Sequence, residues 1–300
     1  MRRQRTLFCY LMVAPALLLT LALGIYPMIA SLRISVLDYD LIRVAEHGTP
    51  FVGLRNYGLL WQDPRFVQTL VNTVVFTVIA VAASILLGLV LAQAANAPFR
   101  GRSVLRTAIC VPWFVPPAVA AAIWMWLLQT ERSPITAVLQ RLGLVDGDIG
   151  YLTDTATLGP VSLPMLSVVA VRVWNGLPFV VIFLLAALQS IPKDHYEAAQ
   201  IDGAGAASRF RHVTLPALGP VIGVLLALLF MTGFGHFEIN YIMTGGGPQN
   251  LTNVLAVFSY QQAFGFFRFD TAAAASGVIL VLTSLVCVLY LRAQMRADDA

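Results

Sequence analysis

The sequence predicts an all-α membrane protein with six transmembrane helices and a cytoplasmic helix-turn-helix between the fourth and the fifth. Two observations concern composition: 58% of the 300 residues are hydrophobic and only 11% are charged, whereas soluble domains carry about 25% charged residues. The third is the length of the apolar runs, because a spanning helix needs about 20 mostly apolar residues. The bilayer offers no water to backbone polar groups, so each run is expected to be helical.

Six runs have the required length, and they lie at roughly 7–32, 69–95, 104–128, 158–188, 215–235 and 272–291. The first follows Arg2, Arg3 and Arg5, as the apolar region of a signal peptide follows basic residues. However, it is much longer than the roughly 7–15 residues of such a region, and no A-x-A site closes it. We therefore interpret it as a retained span and assign residues 1–300 to a single membrane domain.

Basic residues are divided unequally between the two sides of the membrane that six spans create. With the N-terminus in the cytoplasm, eleven basic residues fall inside and seven outside, and positive charge is retained mainly on the cytoplasmic side. Both termini are therefore predicted to be cytoplasmic. The net charge of +4 is explained by these arginines and requires no nucleic-acid partner.

The outer segments and the cysteines show no catalytic or metal-binding pattern. Segment 33–68 contains a stretch that suits a helix at the membrane surface, anchored by Trp61 and Phe66; an ordinary loop with an interfacial aromatic residue is the alternative. TGGGPQN at 244–250 predicts a mobile turn, because three glycines and a proline prevent regular structure. The cysteines are interpreted as small buried apolar residues without metal-ligand or redox spacing; they are Cys9, Cys110 and Cys287.

A polar segment at about 190–220 separates the fourth and fifth apolar runs. Pro192 and Asp194 suit the first turn of a helix, Gly203 and Gly205 permit a hinge or a helix cap, and a second short helix can follow before the fifth span. Connections within helix bundles run about 2–8 residues, so this longer one favours a docking element. Its apolar residues would fit a groove on a soluble partner; they are Tyr196, Ala198, Ala199 and Ile201.

The same segment resembles the EAA signature of binding-protein-dependent ABC importer permeases. The signature elements E-A-A, D-G-A, F, L-P and a final P are matched by Glu197, Ala198, Ala199, Asp202, Gly203, Ala204, Phe210, Leu215, Pro216 and Pro220. Stretches such as FVGLRNY, VWNGLPFVVIFLLAALQSIP and IMTGGGPQNLT resemble the carbohydrate-uptake branch of these permeases. Within that branch, the chain resembles the permease of the pair that carries TGGGP after its fifth span.

The resemblance implies that the EAA segment couples the permease to a cytoplasmic ATPase, through Glu197, Ala198, Ala199, Asp202 and Gly203. It also implies the partners: a second homologous permease, two copies of the ATPase, an extracytoplasmic binding protein, and the lipid of a bacterial inner membrane. A phosphate-binding loop needs a lysine in G-x-x-x-x-G-K-[ST], and the one lysine, Lys193, follows a proline. The chain is therefore expected to be no enzyme and to hold no cofactor, with ATP and Mg²⁺ bound by the partner ATPase.

The resemblance further implies a sugar pocket formed by the third, fourth and fifth spans. The matching positions are Trp113, Pro117, Arg172, Asn175, Gly176, Phe179, Leu229, Gly233 and His236. Aromatic rings can stack on a sugar, and amide or guanidinium groups can bind its hydroxyls. Other roles stay open: Arg172 can pair with Glu238 or with helix-end carbonyls, His236 can be a simple hydrogen-bonding residue, and Trp113 can belong to an interfacial aromatic belt.

The expected function is import of a sugar or sugar-like solute, and there are three alternatives. An anionic solute such as a glycerol phosphate or phosphodiester would use the charge of Arg172, whereas a neutral sugar would use it as a donor. An ion-coupled secondary transporter usually carries a carboxylate in mid-membrane, but Glu238 lies near an outer end. A membrane enzyme would need a clustered catalytic set, and the four histidines lie in separate segments.

Overall fold

The computed structural model of the protein describes residues 12–298 and is built almost entirely of helices. The helices are α1 (Met12–Ile34), α2 (Val44–His47), α3 (Arg55–Gln62), α4 (Pro64–Asn96), α5 (Arg102–Cys110), α6 (Pro117–Leu127), α7 (Pro134–Arg141), α8 (Leu163–Ser190), α9 (Lys193–Ile201), α10 (Ala206–Phe234), α11 (Glu238–Thr244), α12 (Leu255–Tyr260) and α13 (Phe269–Asp298). Strands β1 (Thr157–Leu158) and β2 (Val161–Ser162) form one short antiparallel hairpin.

Helices α1, α4, α8, α10 and α13 are each long and apolar enough to cross a membrane. A sixth crossing is formed if α5 and α6 count as one bent span, and this confirms the predicted all-α membrane architecture. The third run is not straight, however: Arg102–Phe114 and Pro117–Leu127 meet at an angle of 99°. The break falls at Pro116 and Pro117 because a proline inside a helix lacks the N–H and its ring clashes with the preceding turn, whereas Pro117 suits the first position of α6.

Several predicted boundaries need correction. The fourth span begins at Leu163 instead of 158, because the β1–β2 hairpin occupies the preceding residues and the Ser162 hydroxyl caps α8 by accepting from the Met165 N–H. The predicted second short helix before the fifth span is not separate, because α10 runs continuously from Ala206. Residues 7–11 of the first run lie outside the described residues, as do Arg2, Arg3, Arg5 and Cys9. Cys110 and Cys287 are unpaired and half-buried.

The described chain forms two compact units. One contains the residues up to Val67 together with Phe258–Leu280, and the other contains Gln68–Val257 with the residues from Val281 onward. The assignment of residues 1–300 to a single domain stays a prediction.

In the first unit, a buried amide fixes the turn after α1. The Asn56 side chain donates to the carbonyls of Ser35 at 2.9 Å and Leu37 at 2.7 Å. Phe66 is fully buried and contacts the rings of Trp61 and Phe258, with centroids 5.6 and 5.8 Å away. The prediction that Phe66 anchors a helix at the membrane surface is therefore wrong, because the ring is enclosed by protein; Trp61 remains exposed.

In the second unit, α8 is the central helix, and each half of it packs into its own hydrophobic cluster. Its first half contributes Met165 and Val168 to a cluster with Phe76 of α4, and its second half packs Val180 against residues of α10. Helices α4 and α8 approach closely at Gly88, where an added β-carbon would lie 2.6 Å from Val180 Cγ1. Helices α4, α8 and α10 therefore pack closely against one another.

The glycine-rich turn after α11 is held by several side-chain hydrogen bonds, and its predicted mobility stays a prediction. The Thr252 hydroxyl lies 2.6 Å from the Thr244 hydroxyl and donates to the Gly247 carbonyl at 2.7 Å. The Asn72 amide of α4 donates to the Asn250 carbonyl at 2.7 Å. These buried polar groups satisfy the irregular backbone, which explains why the turn is fixed without regular structure.

Candidate functional site

The predicted docking segment contains a short helix, α9, with a defined start and end. Pro192 immediately precedes the helix and Asp194 lies in its first turn, where a negative charge is favourable. At the end, Gly203 has φ +76° and donates its N–H to the Gln200 carbonyl, while Ala204 donates to Ala199. This pair of bonds is the Schellman arrangement, and it needs a residue that tolerates positive φ. Gly203 therefore terminates α9 as a cap.

One face of α9 is fixed to α10 and the opposite face is open. The Tyr196 hydroxyl lies 3.0 Å from the Thr214 hydroxyl, in a π-helical turn near the start of α10. The Tyr196 hydroxyl therefore faces α10, while its partly buried ring leaves its place on the docking surface a prediction. The open face, called the docking face below, consists of the exposed residues Glu197, Ala198, Ile201 and Asp202. Ile201 is 87% exposed, and Ala199 is partly buried beneath this face.

Four predicted substrate-path residues gather at the bend between α5 and α6. The Asn175 amide donates to the carbonyls of Pro112 at 3.2 Å and Val115 at 3.0 Å, so its N–H groups hold the bend. Trp113 meets Phe179 edge-to-face, with ring centroids 6.4 Å apart, and Trp113 is 56% exposed. The structure therefore gives Asn175 a positioning role that leaves only its carbonyl oxygen for another partner. Pro117 is exposed and begins α6.

Three other predicted residues line a small interior cavity between α4, α8 and α10. This cavity, called the interior cleft below, is lined by Phe76, Thr77, Ala80, Val81, Ser84, Arg172, Leu229 and Gly233. Its volume of ≈ 10 Å³ is about that of one water molecule. At its narrowest, an added β-carbon on Gly233 would lie 2.6 Å from Thr77 Cγ2. In this conformation the cleft is too small for a solute, because α4 and α10 are in direct contact at Thr77 and Gly233.

Arg172 brings a positive charge without a direct ion-pair partner to the cleft. Among residues 12–298 no ion pair within 4.0 Å and no hydrogen bond involves its guanidinium. Glu238 lies close enough to interact electrostatically with it but forms no such pair. Of the predicted partners for Arg172, Glu238 interacts with it electrostatically without forming an ion pair, and no helix-end carbonyl accepts from it within residues 12–298. The guanidinium folds over Gly176, since an added β-carbon there would lie 2.5 Å from Nη1.

His236 lies next to the cleft, and its surroundings contain polar groups that sequence reasoning missed. Its ring centroid is 6.0 Å from that of Phe76, and its Nδ1 atom is buried without a partner in the described chain. Thr77 Oγ1 and both amide atoms of Asn240 are buried and unpartnered in the same way. A single threonine or asparagine in an apolar stretch gives no sequence signal, because its hydrogen-bonding state depends on neighbours from other helices.

The bundle of apolar spans with a capped, exposed helix between two of them defines a permease of the ABC-importer class. Residues 84–297 match the family described as binding-protein-dependent transport system inner membrane component, and the chain belongs to this family. It is thus a transmembrane permease subunit of an ABC importer and an inner-membrane component.

Similar proteins include several carbohydrate-related permeases. The sulfoquinovosyl glycerol transport permease of Agrobacterium fabrum is 34% identical over 95% of this chain and 90% of its own length. The trehalose/maltose permease of Thermococcus litoralis is 33% identical over 94% and 92%, and the sn-glycerol-3-phosphate permease of Agrobacterium fabrum is 32% identical over 91% and 89%. These relatives confirm the resemblance to the carbohydrate-uptake branch.

Solved structures confirm the fold. A chain of the bacterial alginate ABC transporter, in complex with a periplasmic protein that holds an alginate pentasaccharide, has a TM-score of 0.81 at 22% identity, covering 98% of this chain and 96% of that one. A second structure of a bacterial alginate importer has a TM-score of 0.79 at 23% identity, covering 96% of each chain.

Proposed function

We propose that this permease carries a sugar or sugar-like solute inward through the interior cleft, driven by ATP hydrolysis on a separate chain. The observation that carries this proposal is the docking face, which exposes Ile201 on a helix that Tyr196 fixes to the start of a span. A large apolar side chain exposed on a short capped helix suits insertion into a groove of a partner. Movement of that partner would be transmitted directly to α10.

The proposed assembly contains this chain, a second homologous permease, two ATPase subunits and an extracytoplasmic binding protein. ATP and Mg²⁺ would be bound by the ATPase subunits, and this chain would hold no cofactor, because Lys193 lacks the phosphate-loop context. Glu197, Ala198, Asp202 and Ile201 would contact the ATPase, with Ala199 and Gly203 shaping the helix beneath them. Both termini and α9 would face the cytoplasm, where the excess of arginine lies.

The solute class is a hydroxylated carbohydrate or carbohydrate ester. The relatives include permeases named for trehalose/maltose, for sn-glycerol 3-phosphate and for sulfoquinovosyl glycerol. The unpaired guanidinium of Arg172 favours an anionic member of this class as a second candidate, because a cation in a low-dielectric site is stabilised by a charged partner. A neutral sugar would use the same group as a hydrogen-bond donor.

The test is the ATPase activity of the reconstituted complex with its binding protein, in the presence of maltose, trehalose, glycerol 3-phosphate or sulfoquinovosyl glycerol. Ile201→Asp and Glu197→Lys are compared with Leu158→Asp, a matched control because Leu158 is also 87% exposed but lies in the β1–β2 hairpin. We expect solute stimulation in the wild type and in Leu158→Asp, and its loss in the two α9 variants. Normal stimulation in Ile201→Asp, with the complex intact, would contradict the proposal.

A further inference from the structure

The interior of the second unit contains buried polar side chains that no protein group satisfies. Thr77 Oγ1, His236 Nδ1 and both amide atoms of Asn240 form no hydrogen bond of good geometry within residues 12–298, although the side chains of His236 and Asn240 lie next to each other. Thr77 and Asn240 are fully buried. Native proteins pair the large majority of buried polar atoms, so several unpaired ones near one cavity need an explanation.

These groups converge on the interior cleft from two sides. Thr77 lines the cleft directly from α4, opposite Gly233 of α10. His236 approaches from the chain after α10, next to Phe76, which also lines the cleft. Asn240 follows His236 by four residues, and its side chain lies beside the His236 ring. Thr77 therefore lies at the contact between α4 and α10, while His236 and Asn240 lie behind Phe76, outside the lining of the cleft.

Unpaired burial of these groups carries a free-energy penalty that a polar solute would remove. A hydroxyl or amide without a hydrogen bond in an apolar environment is unfavourable, and the penalty exceeds the small net gain of an ordinary hydrogen bond. A structural role would be served better by valine or leucine at these positions. A hydroxylated solute offers donors and acceptors to match a threonine hydroxyl and an asparagine amide.

We propose that Thr77 and Asn240 are solute-binding residues of the translocation path, which bind hydroxyl groups of the solute when α4 and α10 separate while Arg172 binds its most negative group. This proposal rests on the proposed function and adds to it one solute-binding residue from α4 and one from α11. The predicted solute is a carbohydrate that presents several hydroxyls beside one anionic or strongly accepting group. In this conformation Thr77 is fully buried against Gly233, and because Gly233 has no side chain, separation of α4 and α10 would expose the Thr77 hydroxyl.

Helix α4, which contains Thr77, also supplies matched controls for it. Thr69 is also fully buried with an unpartnered hydroxyl, but it lies outside the lining of the cleft. Thr73 is buried too, but its hydroxyl donates to the Thr69 carbonyl at 2.7 Å and accepts from the Leu255 N–H at 2.8 Å. These three threonines separate the effect of lining the cleft from the effects of burial and of lost hydrogen bonds.

The experiment measures uptake and ATP hydrolysis together in proteoliposomes that contain the complete complex and saturating binding protein. The probes are maltose, trehalose, glycerol 3-phosphate and sulfoquinovosyl glycerol, and the probe with the fastest wild-type uptake is used for the variants. For Thr77→Val we expect uptake per ATP to fall about 3- to 10-fold, the effect of one lost hydrogen bond, with an unchanged or raised thermal midpoint. Asn240→Leu is expected to show a larger loss of the same kind, and Thr69→Val none.

The outcomes separate this inference from the proposed function. Wild-type uptake with normal uptake per ATP in both Thr77→Val and Asn240→Leu would overturn the solute-binding role and leave the import function intact. A fall in the thermal midpoint of Thr77→Val that matches its loss of uptake would also overturn it, because the hydroxyl would then be structural. No wild-type uptake of any probe would contradict the proposed function and this inference together.

Discussion

Gly233 is the position where the packing of the cleft can be tested most directly. It lies in α10 against Thr77 of α4, and a β-carbon added to it would lie 2.6 Å from Thr77 Cγ2, 3.2 Å from Oγ1 and 3.3 Å from Cβ. The threonine side chain is short and branched at Cβ, so no rotation about χ1 clears all three atoms. Gly233→Ala therefore forces the two helices apart or displaces Thr77.

The expected cost follows from these distances. Contacts under about 3 Å require a shift of the backbone, and inserting an extra carbon into a packed interior costs about 1–3 kcal/mol. The gain in helix propensity from glycine to alanine is about 0.5–1 kcal/mol at most, which is smaller. We therefore expect Gly233→Ala to destabilise the folded chain despite its better propensity.

The assay is the thermal midpoint of the purified full-length chain in detergent. Gly219→Ala in the same helix is the control, because an added β-carbon there meets nothing within 4 Å, so its midpoint should stay equal or rise. Thr77→Ala removes Cγ2 and Oγ1, and the double variant Gly233→Ala/Thr77→Ala should therefore recover most of the loss. Residues in direct contact give such non-additive effects.

Two results would refute this reasoning. A midpoint for Gly233→Ala equal to that of Gly219→Ala would mean that α4 and α10 are not in contact at this point. Full additivity of Gly233→Ala and Thr77→Ala would mean that the cost arises from another neighbour. Either result would remove the basis for treating the cleft as closed by this pair.

Three further substitutions test the cap of α9, the contact of α9 with α10, and the bend between α5 and α6. Gly203→Ala should destabilise the end of α9 by about 1–2 kcal/mol, because Gly203 has a left-handed conformation, and should increase hydrogen exchange there. Gly205→Ala is the control, because Gly205 has φ −69° and an added β-carbon meets nothing within 4 Å. Equal exchange in the two variants would be inconsistent with the cap. Asn175→Leu removes two hydrogen bonds to the bend. It should lower the free energy of unfolding by about 1–3 kcal/mol and therefore lower the thermal midpoint. An unchanged midpoint would show that the bend does not depend on these hydrogen bonds. Tyr196→Phe removes one hydrogen bond to α10 and should lower uptake per ATP while ATPase assembly is kept; normal uptake per ATP would argue against transmission through this bond.

The number and position of the spans were largely predictable, because about 20 apolar residues in a row determine a membrane helix. The sharp bend was only partly predictable. Pro116 and Pro117 mark the break in the sequence, but its angle depends on Asn175, which lies about 60 residues further along the chain. Pro216 suggested that the fifth span begins there; instead α10 passes through it, since the wider π-helical turn at Phe210–Thr214 precedes the proline ring.

The candidate site was predictable to different degrees in its two parts. Glu197 and Gly203 follow a contiguous pattern, so sequence spacing alone located α9 and its cap. The interior cleft is formed by helices far apart in sequence, and so Thr77 and Asn240 emerged only when their lack of partners became visible. The contact of the Tyr196 hydroxyl with α10 is likewise non-local and could not be predicted from the sequence.

The most direct test of the central claim is site-directed crosslinking between α9 and the ATPase in the assembled complex. Single cysteines are placed in a variant without native cysteines at Ile201, on the docking face, at Tyr196, on the inward face, and at Leu158, in the hairpin. We predict a crosslink to the ATPase from Ile201→Cys, with a yield that changes when ATP binds, and none from the other two. Absence of the Ile201 crosslink, or an equal crosslink from Leu158→Cys, would contradict the account.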